Sequence, residues 1–153
     1  MTPRSKRLGA AAAIATAIAI PAEGLRQWAY NDAGQGILTV CYGTTTNVVK
    51  GKKYSLDECK VLLDKDMLSA VEQVERCHPG LPDNVLAAFG DAVYNIGPAV
   101  ACNSTASRYL AAGDIDSACR QLPRWDKARV MGVMVALPGL TKRRAKEMAL
   151  CLA

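Results

Sequence analysis

Residues 23–43 have the sequence "EGLRQWAYNDAGQGILTVCYG". It opens with a glutamate that directly follows a run rich in alanine and isoleucine. From residue 28 to residue 54 the chain has few helix signals and many Gly, Thr, Val and Tyr residues. The segments "AGQG" and "NVVKGKKY" are typical of turns, and they flank short apolar runs such as "ILTVCY". The pattern predicts a small antiparallel sheet.

From Ser55 onward the pattern becomes helical. Ser55 and Glu58 have the spacing of a capping box, and apolar residues then recur at helical intervals until the chain reaches residues 77–79. Further helices are predicted to begin at four N-caps, namely Asp83, Asn103, Asp114 and Thr141. Gly97 and Gly113 are predicted to end two of them, and "ALPGL" at 136–140 to break the chain before the last. The sequence therefore predicts an α+β fold in which a long helix joins a small sheet lobe to a larger helical lobe.

Composition limits the possible functions. A chain of 153 residues, 50% of them hydrophobic, is long enough to bury one core. The net charge is +5, but Arg4, Lys6 and Arg7 supply three of these charges, and the chain has only one Phe, two Trp and five Tyr. Without a basic face or enough aromatic rings for bases to stack on, nucleic-acid binding is not expected.

The six cysteines are widely spaced, form no C-x-x-C pair and have only His78 as a possible companion ligand. This pattern disfavours a zinc site, and no phosphate-binding glycine loop is present, so no metal or cofactor is expected. Three disulfides in an exported protein are one interpretation, and six buried free thiols are the other.

The N-terminal segment combines "MTPRSKR" with an uncharged run from Leu8 to Ala22. A cationic start followed by an apolar run indicates export, with the N-terminus left in the cytoplasm. The run is shorter than the roughly 20 residues of a confident membrane span and is rich in Ala, so it should insert weakly. Export could also be followed by cleavage, since Ala17-Ile18-Ala19 resembles a signal-peptide site, although Pro21 would stand two places beyond the cut. A second interpretation of the segment is an Ala-rich helix packed on the core of the protein, and the membrane-inserted and packed states can hold at different times. We divide the chain into an N-terminal segment, 1–22, and a catalytic domain, 23–153.

Glu23, Asp32 and Thr39 form the candidate catalytic set. Hydrolysis of a glycosidic bond needs one carboxyl group to protonate the leaving oxygen and a second group that stays charged. If Glu23 ends a helix packed on apolar residues, burial would raise its pKa, as a general acid requires. Asp32 in a polar turn would remain ionised, and Thr39 on a strand could hold the attacking water.

The stretch 23–43 resembles the catalytic signature of phage-type lysozymes, the endolysins that cut bacterial peptidoglycan. The resemblance continues through "YSLDECKVLLDKDM", "AFGDAVYNIG" and "LPGLTKRRAKEMALCL", so it covers roughly residues 23 to 152. It implies a monomeric, lysozyme-like muramidase that hydrolyses the β-1,4 bond between N-acetylmuramic acid and N-acetylglucosamine and needs no cofactor. It also implies Glu23 as general acid, Asp32 as second carboxylate and Thr39 as its partner.

Two departures from the family pattern are visible. The interval from Asp32 to Thr39 is one residue longer than usual, and Thr44 stands where many relatives have a histidine. For the cysteines, the resemblance implies the pairs Cys41–Cys59, Cys77–Cys102 and Cys119–Cys151.

Some members of this family have a weakly hydrophobic N-terminus that first anchors them in the inner membrane and then leaves it. Residues 8–22 resemble such a segment, which implies export through the host secretion machinery, an inactive tethered form and release into the host periplasm, where lysis follows. Because the segment contains no cysteine and position 32 is Asp rather than Cys, we expect release and refolding without disulfide exchange.

Other functions stay open on the sequence. A lytic transglycosylase would cut the same bond without a second carboxylate. A wall-binding module, or a cationic membrane disruptor, would need no catalysis. The disruptor would use the basic group Lys142, Arg143, Arg144 and Lys146, whose alternative interpretation is a solvated helix face.

Overall fold

A computed structural model describes residues 2–31 and 36–153. In these residues the α-helices are α1 (Pro3–Ala22), α2 (Leu56–Cys77), α3 (Asp83–Ile96), α4 (Ala99–Cys102), α5 (Thr105–Ala111), α6 (Ile115–Cys119) and α7 (Pro138–Leu152), with a short 3-10 helix at Leu122–Trp125. The strands are β1 (Arg26–Asn31), β2 (Leu38–Cys41), β3 (Lys127–Val130) and β4 (Val133–Ala136). The predicted α+β fold class is confirmed.

The small sheet lobe is built on the antiparallel pair β1–β2. Tyr30 lies opposite Thr39, and the register shifts between Arg26 and Tyr30. Tyr54 adds a third segment, since its backbone N–H donates to the carbonyl oxygen of Gln27 at 2.7 Å. A small apolar cluster of Val40, Cys41, Tyr54 and Cys59 fills this lobe and ties it to the start of α2.

Helix α2 begins at Ser55 with the predicted capping box. The Glu58 backbone N–H donates to the Ser55 hydroxyl, and the Ser55 N–H donates to the Glu58 carboxylate. Satisfying two free donors in this way stabilises the first turn of the long helix that joins the two lobes.

Helix α3 is the centre of the helical lobe. Its residues from Val85 to Val93 are all buried, and it packs against α1, α2 and α7. Gly90 allows the closest approach, because a β-carbon at this position would lie 2.6 Å from Cγ2 of Val71 on α2. The helix ends before Gly97, as predicted, where φ is +92° and glycine is the favoured residue.

Helix α1 packs on this core through small side chains. Its buried face consists of Leu8, Ala11, Ala12, Ala15, Thr16 and Ala19. Arg7 holds the start of the helix in place: it donates to the carboxylate of the buried Glu75 at 2.5 Å and to the carbonyl oxygen of Leu81 at 2.6 Å. The second interpretation of the N-terminal segment is thus the state that the structure shows. None of the helices in the described residues is long and apolar enough for a membrane span.

Several predicted helix starts were wrong. Asp83 is the first residue of α3, and Pro82 occupies the cap position. Asn103 ends α4, and α5 is capped by Ser104, whose side chain accepts from the Ser107 N–H. These errors arise because several hydrogen-bonding or turn-forming residues stand side by side, and the path of the chain decides which of them caps the helix.

Two further differences lie near the C-terminus. Helix α7 begins at Pro138, inside the predicted break, and Thr141 lies in its first turns. Proline suits the first turn of a helix because its missing N–H would have no partner there. The hairpin β3–β4 was not predicted, since "ARVMGVMVA" lacks the Asn-Gly or Asp-Gly signal of a two-residue turn. Asp114 does cap α6, as predicted.

Three disulfides join the elements: Cys41–Cys59, Cys77–Cys102 and Cys119–Cys151. These are the pairs that the family resemblance implied. The first ties the sheet lobe to α2, the second ties the end of α2 to α4, and the third ties α6 to the end of α7. Each restricts the unfolded chain, which typically adds about 2–4 kcal/mol of stability.

Candidate active site

Glu23 is the residue on which α1 ends. Its backbone is extended, at φ −96° and ψ 136°, and its N–H donates to the carbonyl oxygen of Ala19. Three residues later the chain enters β1, so the carboxylate lies where the helical lobe meets the sheet lobe. The side chain is 25% exposed and contacts a guanidinium rather than an apolar pocket. The apolar surroundings expected for Glu23 are therefore replaced by an ion pair.

Arg143 of α7 holds this carboxylate. Its Nη1 donates to Oε1 of Glu23 at 2.6 Å, while Nε and Nη2 donate to the two oxygens of Asp91 on α3 at 2.9 and 2.8 Å. Arg143 and Asp91 are both buried. A planar guanidinium bound on two sides has little freedom to rotate, so α3 and α7 together fix the position of the Glu23 side chain.

The charges of this cluster favour the ionised arginine. Burial alone would lower the pKa of Arg143, but the hydrogen bonds and negative charges of Asp91 and Glu23 outweigh it and raise the pKa above its usual value. Arg143 is thus a permanent cation between two carboxylates.

A second buried pair lies behind the first. Arg144 donates through Nη2 to Oδ1 of Asn95 at 2.7 Å and to Oε1 of Glu147 at 2.8 Å. Burial, reinforced by the neighbouring carboxyl group of Asp91, raises the pKa of Glu147 to about 10 despite the opposing charge of Arg144. Burial therefore favours the protonated form of the Glu147 side chain.

Tyr94 links the helical lobe to the end of β2. Its hydroxyl donates to the carbonyl oxygen of Tyr42 at 2.5 Å. Burial raises the pKa of Tyr94, and the nearby negative charges of Glu23 and Asp66 raise it further. Tyr94 therefore remains a neutral hydrogen-bond donor between the candidate acid and the sheet lobe.

Thr44, which stands where many members of the resembled family have a histidine, makes a hydrogen bond to the long helix. The hydroxyl of Thr44 donates to Oδ2 of Asp66 on α2 at 2.8 Å. This contact joins the end of the sheet to the long helix. A threonine hydroxyl can make it at any pH near neutrality, since the hydroxyl does not titrate there.

Thr39 lies on β2 and is 5% exposed. Its hydroxyl donates to the carbonyl oxygen of Ile37 at 3.0 Å, which leaves the lone pairs of the hydroxyl oxygen to accept a hydrogen bond. In the described residues no hydrogen bond joins Thr39 to Glu23. Asp32 lies outside the described residues.

A cavity of ≈ 250 Å³ opens between the two lobes beside Tyr94. Its lining is mostly polar and includes Thr45, Thr46, Asp66, Ser69 and Gln73. Hydroxyl, amide and carboxylate groups suit a ligand rich in hydroxyls and amides. No group of three or more metal-ligating side chains occurs within residues 2–31 and 36–153.

Sequence reasoning missed the residues that hold Glu23. The sequence predicts a solvated helix face or a membrane-active patch for the four basic residues between 142 and 146, yet Arg143 and Arg144 are buried and only Lys142 and Lys146 are exposed. One signal was available. Asp91 lies in the otherwise apolar run "AAFGDAV", and a carboxylate buried in a core needs a cationic partner.

Comparison with known proteins agrees with this architecture. A family model described as phage lysozyme matches residues 21–147. A protein of Bacteriophage PS119 named SAR-endolysin is 38% identical over 132 residues, which cover 85% of this chain and 76% of that protein.

Two solved structures are similar in fold. The muramidase domain of SpmX from Asticaccaulis excentricus superposes with a TM-score of 0.80 at 28% identity, covering 94% of this chain and 95% of that one. The active form of the P1 phage endolysin Lyz superposes with a TM-score of 0.76 at 25% identity, covering 91% of this chain and 83% of that one.

Proposed function

Because this chain belongs to the phage lysozyme family and is a glycoside hydrolase of that type, we propose that it hydrolyses the β-1,4 bond between N-acetylmuramic acid and N-acetylglucosamine in peptidoglycan, with Glu23 as general acid. The observation that carries the proposal is the fixed position of Glu23. Its carboxylate stands at the junction of the lobes, and a buried arginine shared with Asp91 orients it.

The carboxylate of Glu23 must first take up a proton, and in this protonated form Glu23 transfers the proton to the glycosidic oxygen as the bond to the sugar carbon breaks. A water molecule adds to that carbon and loses a proton to the second carboxylate, for which we propose Asp32. Arg143 keeps the Glu23 carboxyl in one orientation throughout. This preorganisation lowers the entropic cost of aligning acid and substrate.

Thr39 positions the attacking water in this scheme. Since its own proton is donated to Ile37, the hydroxyl oxygen accepts a hydrogen bond from the water. Thr39→Ser keeps the hydroxyl and should retain most activity, whereas Thr39→Val keeps the shape and loses the acceptor. Equal activity of both variants in a turnover assay would remove Thr39 from the mechanism.

The decisive experiment for Glu23 is the release of reducing sugar from purified peptidoglycan. Glu23→Gln keeps the size of the side chain but has no proton to transfer, so release should fall to background. Glu72 is a partly exposed glutamate on α2 for which the described residues show no hydrogen bond or ion pair, so Glu72→Gln is the matched control and should behave as wild type. Equal release by Glu23→Gln and wild type would overturn the assignment.

Two other activities give different outcomes in the same experiment. A lytic transglycosylase would produce anhydro sugars, which mass spectrometry separates from hydrolysed ends by the mass of one water. A membrane disruptor would kill cells equally well as Glu23→Gln. The burial of Arg143 and Arg144 favours the enzyme, because it removes two charges from the face that a disruptor would use.

We also propose that the segment 1–22 first tethers the protein to the inner membrane of the host after export and that release into the periplasm activates it for lysis. In the tethered state α1 is absent from the core, so Glu23 is separated from Arg143 and Glu75 from Arg7. Release restores both ion pairs. The small residues on the buried face of α1 suit both states, since they pack closely on α2 and α3 and gain little from hydrocarbon.

Ala13 and Ala17 allow a test of the tether, because both are exposed on α1 in the folded protein. Replacing both with leucine strengthens membrane insertion without touching the core. We expect the doubly substituted protein to stay in the membrane fraction, while wild type and an Ala13→Ser, Ala17→Ser control appear in the periplasm. Equal release of all three proteins would contradict the tether.

A further inference from the structure

The hairpin β3–β4 exposes large apolar side chains on both of its faces. The exposed fractions are 43% for Val130, 99% for Met131, 62% for Val133, 54% for Met134 and 42% for Val135. In the described part of the chain its two strands pair only with each other. A lone two-stranded hairpin gains little stability in water, so burial within this molecule does not account for the apolar residues.

The methionine at the tip of the hairpin is unfavourable both for the backbone conformation there and for contact with water. Met131 and Gly132 have φ values of +49° and +83°. Asn-Gly is the favoured pair in such a turn, because a non-glycine side chain other than Asn or Asp is strained at positive φ. Methionine therefore occupies the most exposed position of the hairpin although neither turn geometry nor solvation favours it.

Two lysines lie near the base of the hairpin. Lys127 and Lys142 are exposed there, and Asp126 is the one acidic residue between positions 124 and 142. Arg129 is exposed as well but extends towards the tip, where its Nη1 donates to the carbonyl oxygen of Gly132 at 2.9 Å. Asp126 is already engaged, since it accepts from Lys127 and from the hydroxyl of Thr141, each at 3.1 Å. The hairpin is thus an apolar projection with a positively charged base.

We propose that this hairpin docks on the surface of an anionic phospholipid bilayer, with Met131 and the flanking valines among the acyl chains and the basic residues against the headgroup phosphates. The pairing of an apolar tip with cationic flanks matches the layering of such a surface. A glycan strand fits less well, because its hydroxyls and amides need hydrogen-bonding partners and Val and Met offer at most a weak acceptor. The contact is separate from α1 and does not depend on catalysis.

A second exposed apolar patch provides an internal comparison. Val49 and Val61 line one surface where the sheet lobe meets α2, together with Lys52, Asp57 and Glu58. Lys52 pairs with Glu58 at 2.7 Å, so Asp57 leaves the lining with a net negative charge. A negative charge is not attracted to an anionic membrane, so this patch has the apolar character of the hairpin without its positive charge. Substitutions here control for a general loss of surface hydrophobicity.

The test is co-sedimentation of the full chain with vesicles of phosphatidylglycerol and phosphatidylethanolamine, and with vesicles of phosphatidylcholine. Wild type should bind the anionic vesicles, and added salt should weaken the binding. Met131→Asn with Val133→Thr should weaken it by about tenfold or more, because two side chains lose their burial. Asn suits the turn, so the fold should persist, and hydrolysis of soluble glycan fragments should be unchanged.

Two control proteins complete the experiment. Val49→Thr with Val61→Thr should bind vesicles as wild type does, and so should Glu23→Gln, whose loss of hydrolysis tests the catalytic proposal separately. Equal vesicle binding by the hairpin variant and wild type would overturn the proposal and assign any binding to another element, including α1. The proposal would also be overturned if wild type did not bind anionic vesicles. It would be overturned as well if the hairpin variant bound vesicles normally but lost its binding to purified cell wall.

Discussion

Arg143 binds both oxygens of Asp91 at 2.8 and 2.9 Å, with both side chains buried in the helical lobe. The third arm of the same guanidinium reaches Glu23 at 2.6 Å. The candidate acid is thus attached to the core of the protein through one side chain. The position of Glu23 in the active site is therefore only as well fixed as the packing of α3 against α7.

Arg143→Lys should test this attachment. Lysine keeps the charge but offers a single ammonium in place of a planar fork, so it cannot hold Asp91 and Glu23 together. We expect a loss of about 3 kcal/mol in the free energy of unfolding, because a buried carboxylate loses its partner. We expect turnover to fall about a hundredfold because Glu23 is misplaced. Urea unfolding and reducing-sugar assays measure the two effects.

Lys142→Arg is the matched control for that experiment. Lys142 precedes Arg143 but is exposed, so the reverse exchange of the two basic residue types should leave stability and turnover unchanged. Wild-type turnover in Arg143→Lys would mean that Glu23 is positioned without the guanidinium.

Glu147→Gln should change the dependence of stability on pH. The pKa of Glu147 is raised in the folded protein to about 10, against an ordinary value of 4.5. The stability that the protonated group provides is fully present below the pKa of Glu147 in the unfolded chain. It is lost as the pH rises from that value through the pKa of Glu147 in the folded protein, because the unfolded chain releases its proton first.

Glutamine mimics the protonated acid and does not titrate. The melting temperature of Glu147→Gln should therefore fall less than that of wild type between about pH 6 and pH 9. Glu72→Gln should keep the wild-type slope. If Glu147→Gln loses stability with rising pH as steeply as wild type does, Glu147 is already ionised in the folded protein over this pH range.

Arg7→Met should loosen the N-terminal helix. Glu75 is buried, with 6% of its side chain exposed, and it loses its one cationic partner in the described residues when Arg7 is removed. The expected cost is about 1–3 kcal/mol in the free energy of unfolding of the purified protein. Arg4→Met, at an exposed position of the same helix, should cost less than about 0.5 kcal/mol. Equal costs for both variants would show that the pair does not hold α1.

Gly90→Ala should be destabilising because of packing rather than backbone strain. The new β-carbon would lie 2.6 Å from Cγ2 of Val71, so α2 and α3 would have to separate or Val71 to shift. Overpacking of this kind costs about 1–3 kcal/mol. In a Val71→Ala background the same change should cost much less.

Gly9→Ala is the control for helix propensity, since nothing lies within 4 Å of the added carbon. It should stabilise the protein by up to about 1 kcal/mol. If Gly90→Ala unfolds at the same urea concentration as wild type, the close approach of the two helices is not limiting.

Local sequence patterns predicted the fold class and most of the elements. The period of the apolar residues and the Ser55–Glu58 pair predicted α2, and the glycine at position 97 predicted the end of α3. These signals succeed because each depends on residues within a few positions of one another. The hairpin β3–β4 has no such signal, since its turn is Met-Gly, and it was missed.

Glu23 could be named from the sequence because a whole motif surrounds it, but its support could not. Glu23 and Arg143 are separated by 120 positions, and Arg143 and Asp91 by 52. No local pattern distinguishes a basic residue that a helix buries from its exposed neighbour. The contrast between Arg143 and Lys142 depends only on which side of α7 faces α3.

Patterns along the chain were enough to predict the class of fold, to name Glu23 as the candidate acid and to recognise a short apolar N-terminal segment. The folded structure was needed to show that this segment packs as α1 on α2 and α3, and that a buried arginine holds Glu23. Helix periodicity and capping can be predicted because they are set by neighbouring residues. The pairing of buried charges depends on helices that meet only when the chain has folded, where an unpaired carboxylate would be too costly to bury.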